Sequence, residues 1–120
     1  MKIFGHPWVD ATPFYVVENE EDIKKTPVNS ILKIEVFDIK LMKYCQANSL
    51  AYMVNVSDIK EAIFANMFGA KCIKASKELA KELMPIAQNY LFDAEVLGVI
   101  SKDSEIEELA KANVDGAWFK

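Results

Sequence analysis

Two stretches in the second half of the chain follow one pattern, and that pattern narrows the fold more than any other feature of the sequence. Leu50–Val56 (LAYMVNV) leads through a helical stretch to Phe68-Gly69-Ala70-Lys71-Cys72-Ile73, and Val96–Ile100 (VLGVI) leads through another to Asn113-Val114-Asp115-Gly116-Ala117-Trp118-Phe119. Each reads as a strand, an amphipathic helix and a glycine-marked turn into a further apolar strand. A tight turn cannot join two parallel strands, so a helix carries the chain back, and such crossovers are right-handed. The expected fold is α/β, a mainly parallel central sheet with helices on both faces. It is laid out either as a Rossmann-like or flavodoxin-like three-layer structure or in a half-barrel-like way.

The first half continues the same grammar. Lys2–Gly5 and Phe14–Val17 are short candidate strands, the first stopped by His6-Pro7, because proline lacks a donor and pushes the residue before it toward extended geometry. The acidic stretch Glu18–Asp22 opens a short helix ending near Thr26-Pro27. Ser30–Val36 alternates, with Ile31, Lys33 and Glu35 on one face and Leu32, Ile34 and Val36 on the other. Asp38 is placed to cap a helix over Ile39–Ala47. Further on, Asp58 and Glu61 stand at capping-box spacing before a stripe of Ile59, Ala62, Ile63 and Met67 that Gly69 closes.

Ser76 caps a long expected helix running to about Phe92, with Leu79, Ala80, Leu83, Ala87, Tyr90 and Leu91 inward. Pro85 lies inside it, so a kink or a break is expected near Met84. The last helix, about Ser104–Ala112, turns Ile106, Leu109 and Ala110 inward. Its acidic first turn suits the positive end of the helix dipole better than it suits a binding surface. No linker or composition shift divides the chain, which reads as one domain over residues 1–120.

Composition limits the function. The net charge is −4 with both signs spread along the chain, which argues against nucleic acid or an anionic membrane as a partner. All 14 basic residues are lysines, so a forked, bidentate grip on phosphate, carboxylate or guanine is not available. No apolar run approaches the ~18–20 residues of a membrane span, and no secretory signal is visible. A cytoplasmic location is expected. Cys45 and Cys72 are too far apart for a CxxC motif and His6 is the only histidine, so neither a metal site nor a cofactor is expected.

In parallel α/β sheets, ligands sit beyond the carboxyl ends of the strands. That rule selects His6 and Trp8, Glu18 and Asn19, Glu35 and Asp38, Asn55 and Ser57, Lys74 and Ser76, and Ser101 and Lys102. His6 is a candidate general acid or base, against the alternative of a turn histidine bonded to backbone. Lys74, at the end of a strand, is a candidate Schiff-base amine if desolvated, against the alternative of a lysine whose head reaches water. With the helix start at Ser76 it is also a candidate for holding a small anion. Trp8, Glu35, Asn55, Lys74 and Ser76 are the ligand-binding candidates. Glu35, Asp38, Asp93, Glu95 and Asp115 are carboxylates that could be grouped into a metal-dependent nuclease or phosphatase site, but no lysine follows Glu95 where a nuclease pattern needs one, and a cap and turn is the reading preferred for Asp93-Ala94-Glu95. No glycine-rich phosphate loop, nucleophile elbow or zinc-protease motif occurs.

The phrases FGAKCIKAS and NVDGAWFK, within about Leu50–Lys120, resemble successive β/α units of phosphate-binding (β/α)-barrel enzymes, in which a helix ends in Gly-Ala or Asp-Gly before the next strand. The chain departs from them in being half a barrel's length, in lacking a glycine-rich loop after the last strand and in stopping at Lys120. It looks more like a small bacterial α/β family than a truncated enzyme. Ala117-Trp118-Phe119 is an apolar strand with no helix after it, so Trp118 and Phe119 are interface candidates for a homo-oligomer, alongside a patch of Trp8, Phe14 and Tyr15. Two functions follow: a binding or interaction module that self-associates, or an enzyme or binder acting on a small anionic, phosphorylated or similar metabolite at the strand ends.

Overall fold

The computed structural model describes residues Met1–Lys120. Seven strands and five helices follow one another as β1 (Lys2–Phe4), β2 (Phe14–Val16), α1 (Glu20–Lys24), β3 (Ile31–Ile34), α2 (Ile39–Ala47), β4 (Tyr52–Asn55), α3 (Ile59–Met67), β5 (Cys72–Ser76), α4 (Lys77–Asn89), β6 (Glu95–Ile100), α5 (Ser104–Lys111) and β7 (Gly116–Phe119). All pairings are parallel, in the order β1-β7-β6-β5-β4-β3-β2. The sheet curls into a half-barrel with helices around it, so of the layouts open to the sequence the half-barrel-like one is realised.

Alternation along each strand separates two cores. Outward residues such as Leu32, Ile34, Tyr52, Val54, Ile73, Ala75, Val96 and Ala117 join the helices in one large buried cluster. Inward residues Met53, Cys72 and Leu97 form a second, smaller cluster with Phe4, Phe14 and Trp118. The helices pack on the convex side, and the concave side is filled by strand side chains alone.

The curl brings the sheet edges together. Phe4 of β1 and Phe14 of β2, at opposite ends of the strand order, meet with ring centroids 5.5 Å apart. Residues 5–13 join β1 to β2 with no helix, unlike the crossovers that follow β2.

The helix starts are built as the sequence implies. Asp38, Asp58 and Ser76 each accept a hydrogen bond from the backbone N–H three residues on, at Leu41, Glu61 and Leu79. Five expectations are corrected. Of the kink or break expected near Met84, the break does not occur: α4 is continuous through Pro85, which lies on its exposed side, where the carbonyl of Lys81 can meet water while Ala80, Leu83, Met84 and Ala87 hold the inner side. α4 stops at Asn89, which leaves Tyr90 and Leu91 outside the helix and exposed, and on α3 the small Ala62 and Ala65 take the buried side, leaving Ile63 and Met67 out. On α5, Leu109 is buried but Ala110 is exposed. Finally, β7 is not a bare edge, because β1 pairs along it on the side away from β6.

Candidate functional site at the mouth of the half-barrel

Inside a curled parallel sheet, alternate strands contribute side chains to one layer. Here the third residues of β3, β5 and β7, which alternate in the sheet, are Lys33, Lys74 and Trp118 and make such a layer, and Phe4 of the neighbouring β1 stands opposite Trp118 in register. The Lys33 Nζ lies 4.6 Å and the Lys74 Nζ 4.5 Å from the centroid of the Trp118 ring, so two cations share one indole. Phe4 and Phe14 pack on the same indole at 5.8 and 5.3 Å. A cation over an aromatic ring is favourable by about 0.5–2 kcal/mol, which offsets part of the repulsion between the two ammonium groups.

Both lysines are half-buried. The only carboxylate paired with either is that of the exposed Glu35, whose Oε2 is 3.8 Å from the Lys33 Nζ. Burial, and then the charge of Lys33, lower the pKa of Lys74 from its ordinary 10.5 to about 8, with Glu35 acting weakly the other way. Near neutral pH, about a tenth of Lys74 is therefore the free amine, the nucleophilic form.

Asn55, beside Lys74 in the β4–β5 register, donates from Nδ2 to the Glu35 carbonyl at 3.1 Å and leaves its buried Oδ1 with no partner. Glu35, Asn55 and Lys74 thus gather at the mouth as the strand-end rule implies. Ser76 borders them, with its Oγ already accepting from Leu79. Lys33 is the member that the sequence reading did not select. The available signal was its position: Lys33 is third in ILKI as Lys74 is third in CIKAS.

His6 and Trp8 stand apart from the lysine pair, on the helix-free connection. The His6 Nδ1 accepts from the Trp8 N–H at 3.1 Å, so Nε2 carries the proton and donates to the Asp103 Oδ1 at 2.9 Å. With both nitrogens engaged and the ring edge-on to Phe119 at 5.0 Å, His6 ties the connection to the loop after β6. Trp8 points to solvent, 89% exposed. Trp118 and Phe119 lie partly buried on opposite sides of β7, the first in the concave layer and the second against the convex core.

The carboxylates that could have formed a metal site are dispersed into local tasks. Asp38 caps α2, Glu95 pairs with Lys2 at 2.7 Å, and Asp115 accepts from the Val96 N–H at 2.8 Å.

Comparison with solved structures places this architecture among known folds. A chain described as “Native KDPGal structure” superposes with a TM-score of 0.61 at 14% identity, over 75% of this chain and 46% of that one. The likeness is one of fold, and this chain spans about half the length of the chain it matches. It agrees with the resemblance to β/α-barrel units. No protein-family model matches the chain, and the comparison with curated proteins gives no match.

Proposed function

We propose that this protein binds a small anionic carbonyl compound at the mouth of the half-barrel, with Lys33 holding the anionic group and Lys74 adding to the carbonyl carbon. The observation that carries the reading is the pair of half-buried ammonium groups on one indole, with a single carboxylate 3.8 Å from one of them. Such a pair carries an excess of positive charge that an anion relieves. Lowering the pKa of an amine by burial and a neighbouring cation is also how proteins prepare a lysine to form an imine. The Lys74 nitrogen would add to the carbonyl carbon, and loss of water would leave a protonated imine.

The test is reductive trapping. The protein is incubated with 2-oxopropanoate and borohydride, and the modified residue is located by peptide mass spectrometry. The expected result is one adduct, on Lys74, lost in Lys74→Met and strongly reduced in Lys33→Met. Adducts spread evenly over the surface lysines, or none at all, would overturn the reading.

A second reading, a self-associating interaction module, is favoured by one surface. Met67 and Phe64 at the end of α3 are exposed, as are Tyr90 and Leu91 after α4, and the Asn66 Oδ1 accepts from the Ala94 N–H, which holds these two regions together. Sedimentation at rising concentration tests it: a constant monomer mass excludes association.

A further inference from the structure

The connection between β1 and β2 is the one crossover between consecutive strands without a helix, and it leaves space beneath itself. Between residues 5–13 and the sheet edges lies a cavity of about 390 Å³, whose wall includes Phe4, Val9, Ala11, Thr12, Phe14 and Trp118. That volume lies within the range of small-molecule sites.

Its chemistry is mostly apolar. His6 also borders it, but both of that residue's ring nitrogens are bonded to Asp103 and to the Trp8 N–H. Those bonds, with the Val9 N–H donating to the His6 carbonyl at 3.0 Å, hold the connection in place over the cavity. Three aromatic rings, those of Phe4, Phe14 and Trp118, pack on one another at 5.3–5.8 Å and give it an aromatic floor. A pocket with this mostly apolar lining favours apolar occupants.

The cavity and the lysine pair have one residue in common, Trp118. We propose that the compound held by Lys33 and Lys74 carries an apolar tail, an aryl or branched alkyl group, seated between Trp118 and the 5–13 connection. The inference rests on the head-group site proposed above and adds the part of the ligand that confers selectivity. The ligand class becomes anionic carbonyl compounds with a hydrophobic substituent, and Val9, Ala11 and Phe14 become residues that determine specificity.

The test compares trapping of 2-oxopropanoate, 4-methyl-2-oxopentanoate and 3-phenyl-2-oxopropanoate at subsaturating concentration. The two tailed acids should be trapped at least about tenfold faster than the short one, the discrimination expected from seating a few methylene equivalents in a hydrophobic pocket. Ala11→Trp, which fills the cavity from its exposed rim, and Val9→Asp, which makes the rim polar, should bring the ratio toward one. Equal rates for all three acids on the unmodified protein overturn the inference.

Binding of 3-phenylpropanoate, followed by tryptophan fluorescence, separates the two proposals, because it has the tail and the carboxylate but no carbonyl. Binding weakened in Ala11→Trp supports the tail seat even if no acid is trapped, in which case only the imine chemistry falls. No binding to the unmodified protein overturns the tail seat whatever the trapping shows.

Discussion

Gly116 faces the Lys2 carbonyl so closely that a Cβ at position 116 would stand 2.6 Å from that oxygen, and 2.7 Å from the Leu97 Cδ2. The oxygen belongs to backbone paired in the β1–β7 register, where Lys2 lies opposite Gly116, so it cannot swing aside as a side-chain end can. Gly116→Ala should therefore push β1 away from β7 and destabilise the fold by about 1–3 kcal/mol. Gly98→Ala is the informative partner, since its added methyl meets the flexible end of Leu109 at 2.8 Å and should cost less. Urea unfolding of both variants checks the order.

The titration of Lys74 gives a second prediction. Trapping by borohydride should rise with pH through a midpoint near 8, where an ordinary lysine would still be rising toward 10.5. Replacing Lys33 by methionine keeps apolar bulk and removes the neighbouring charge, so the midpoint should move up. The sign for stability follows from the same shift. The charged form of Lys74 is disfavoured in the fold, so its cost is present below about pH 8 and is relieved as pH rises from there toward 10.5. Lys74→Met should accordingly be more stable than the parent at pH 7, with the difference shrinking at higher pH in thermal melts.

Local physics was legible in the sequence and long-range curvature was not. The caps at Asp38, Asp58 and Ser76, the alternation of Ile31–Ile34 and the paired β/α units depend on neighbours a few residues away, and the sequence displays them directly. The strand order decides which inward residues meet, and it depends on how far the sheet curls. Lys33 and Lys74 are separated by a whole strand, β4, and come together on Trp118 only because the sheet bends. For the same reason Trp118 reads as a bare edge in sequence, whereas β1, from the other end of the chain, covers it. The stripe on α3 was misjudged because helical period alone does not say which apolar side chains a close approach to β5 will admit, and alanines were chosen over Ile63 and Met67.

The two cysteines should be silent in the native protein. Cys45 lies in the convex core and Cys72 in the concave one, and burial raises both thiols to about 11, so little thiolate exists at neutral pH. Reaction with a disulfide reagent at pH 8 should be slow for the folded chain and complete at two thiols per chain in urea. Fast native labelling of Cys72 alone would mean that the concave core opens at the amino ends of the strands, where Cys72 lies opposite Glu95 in the β5–β6 register, while the helical side stays closed.

Acid stability should depend on Glu105. Its Oε1 accepts from the backbone N–H groups of Ser101 and Lys102, each at 3.1 Å, while its Oε2 lies 3.0 Å from the Lys77 Nζ. This carboxylate therefore organises the start of α5, where Asp103 makes no side-chain cap. The bond from Ser101 and then the Lys77 ammonium hold its pKa near 2, below the ordinary 4.5. A lowered carboxylate contributes stability that is complete above 4.5 and is lost as pH falls toward 2. Glu105→Gln should unfold more easily than the parent at pH 6, and the gap should close across that window. Salt should reduce only part of the gap, because it screens the pairing with Lys77 and leaves the two backbone hydrogen bonds in place. A gap that persisted unchanged at pH 2 would mean that Glu105 acts through packing and not through its charge.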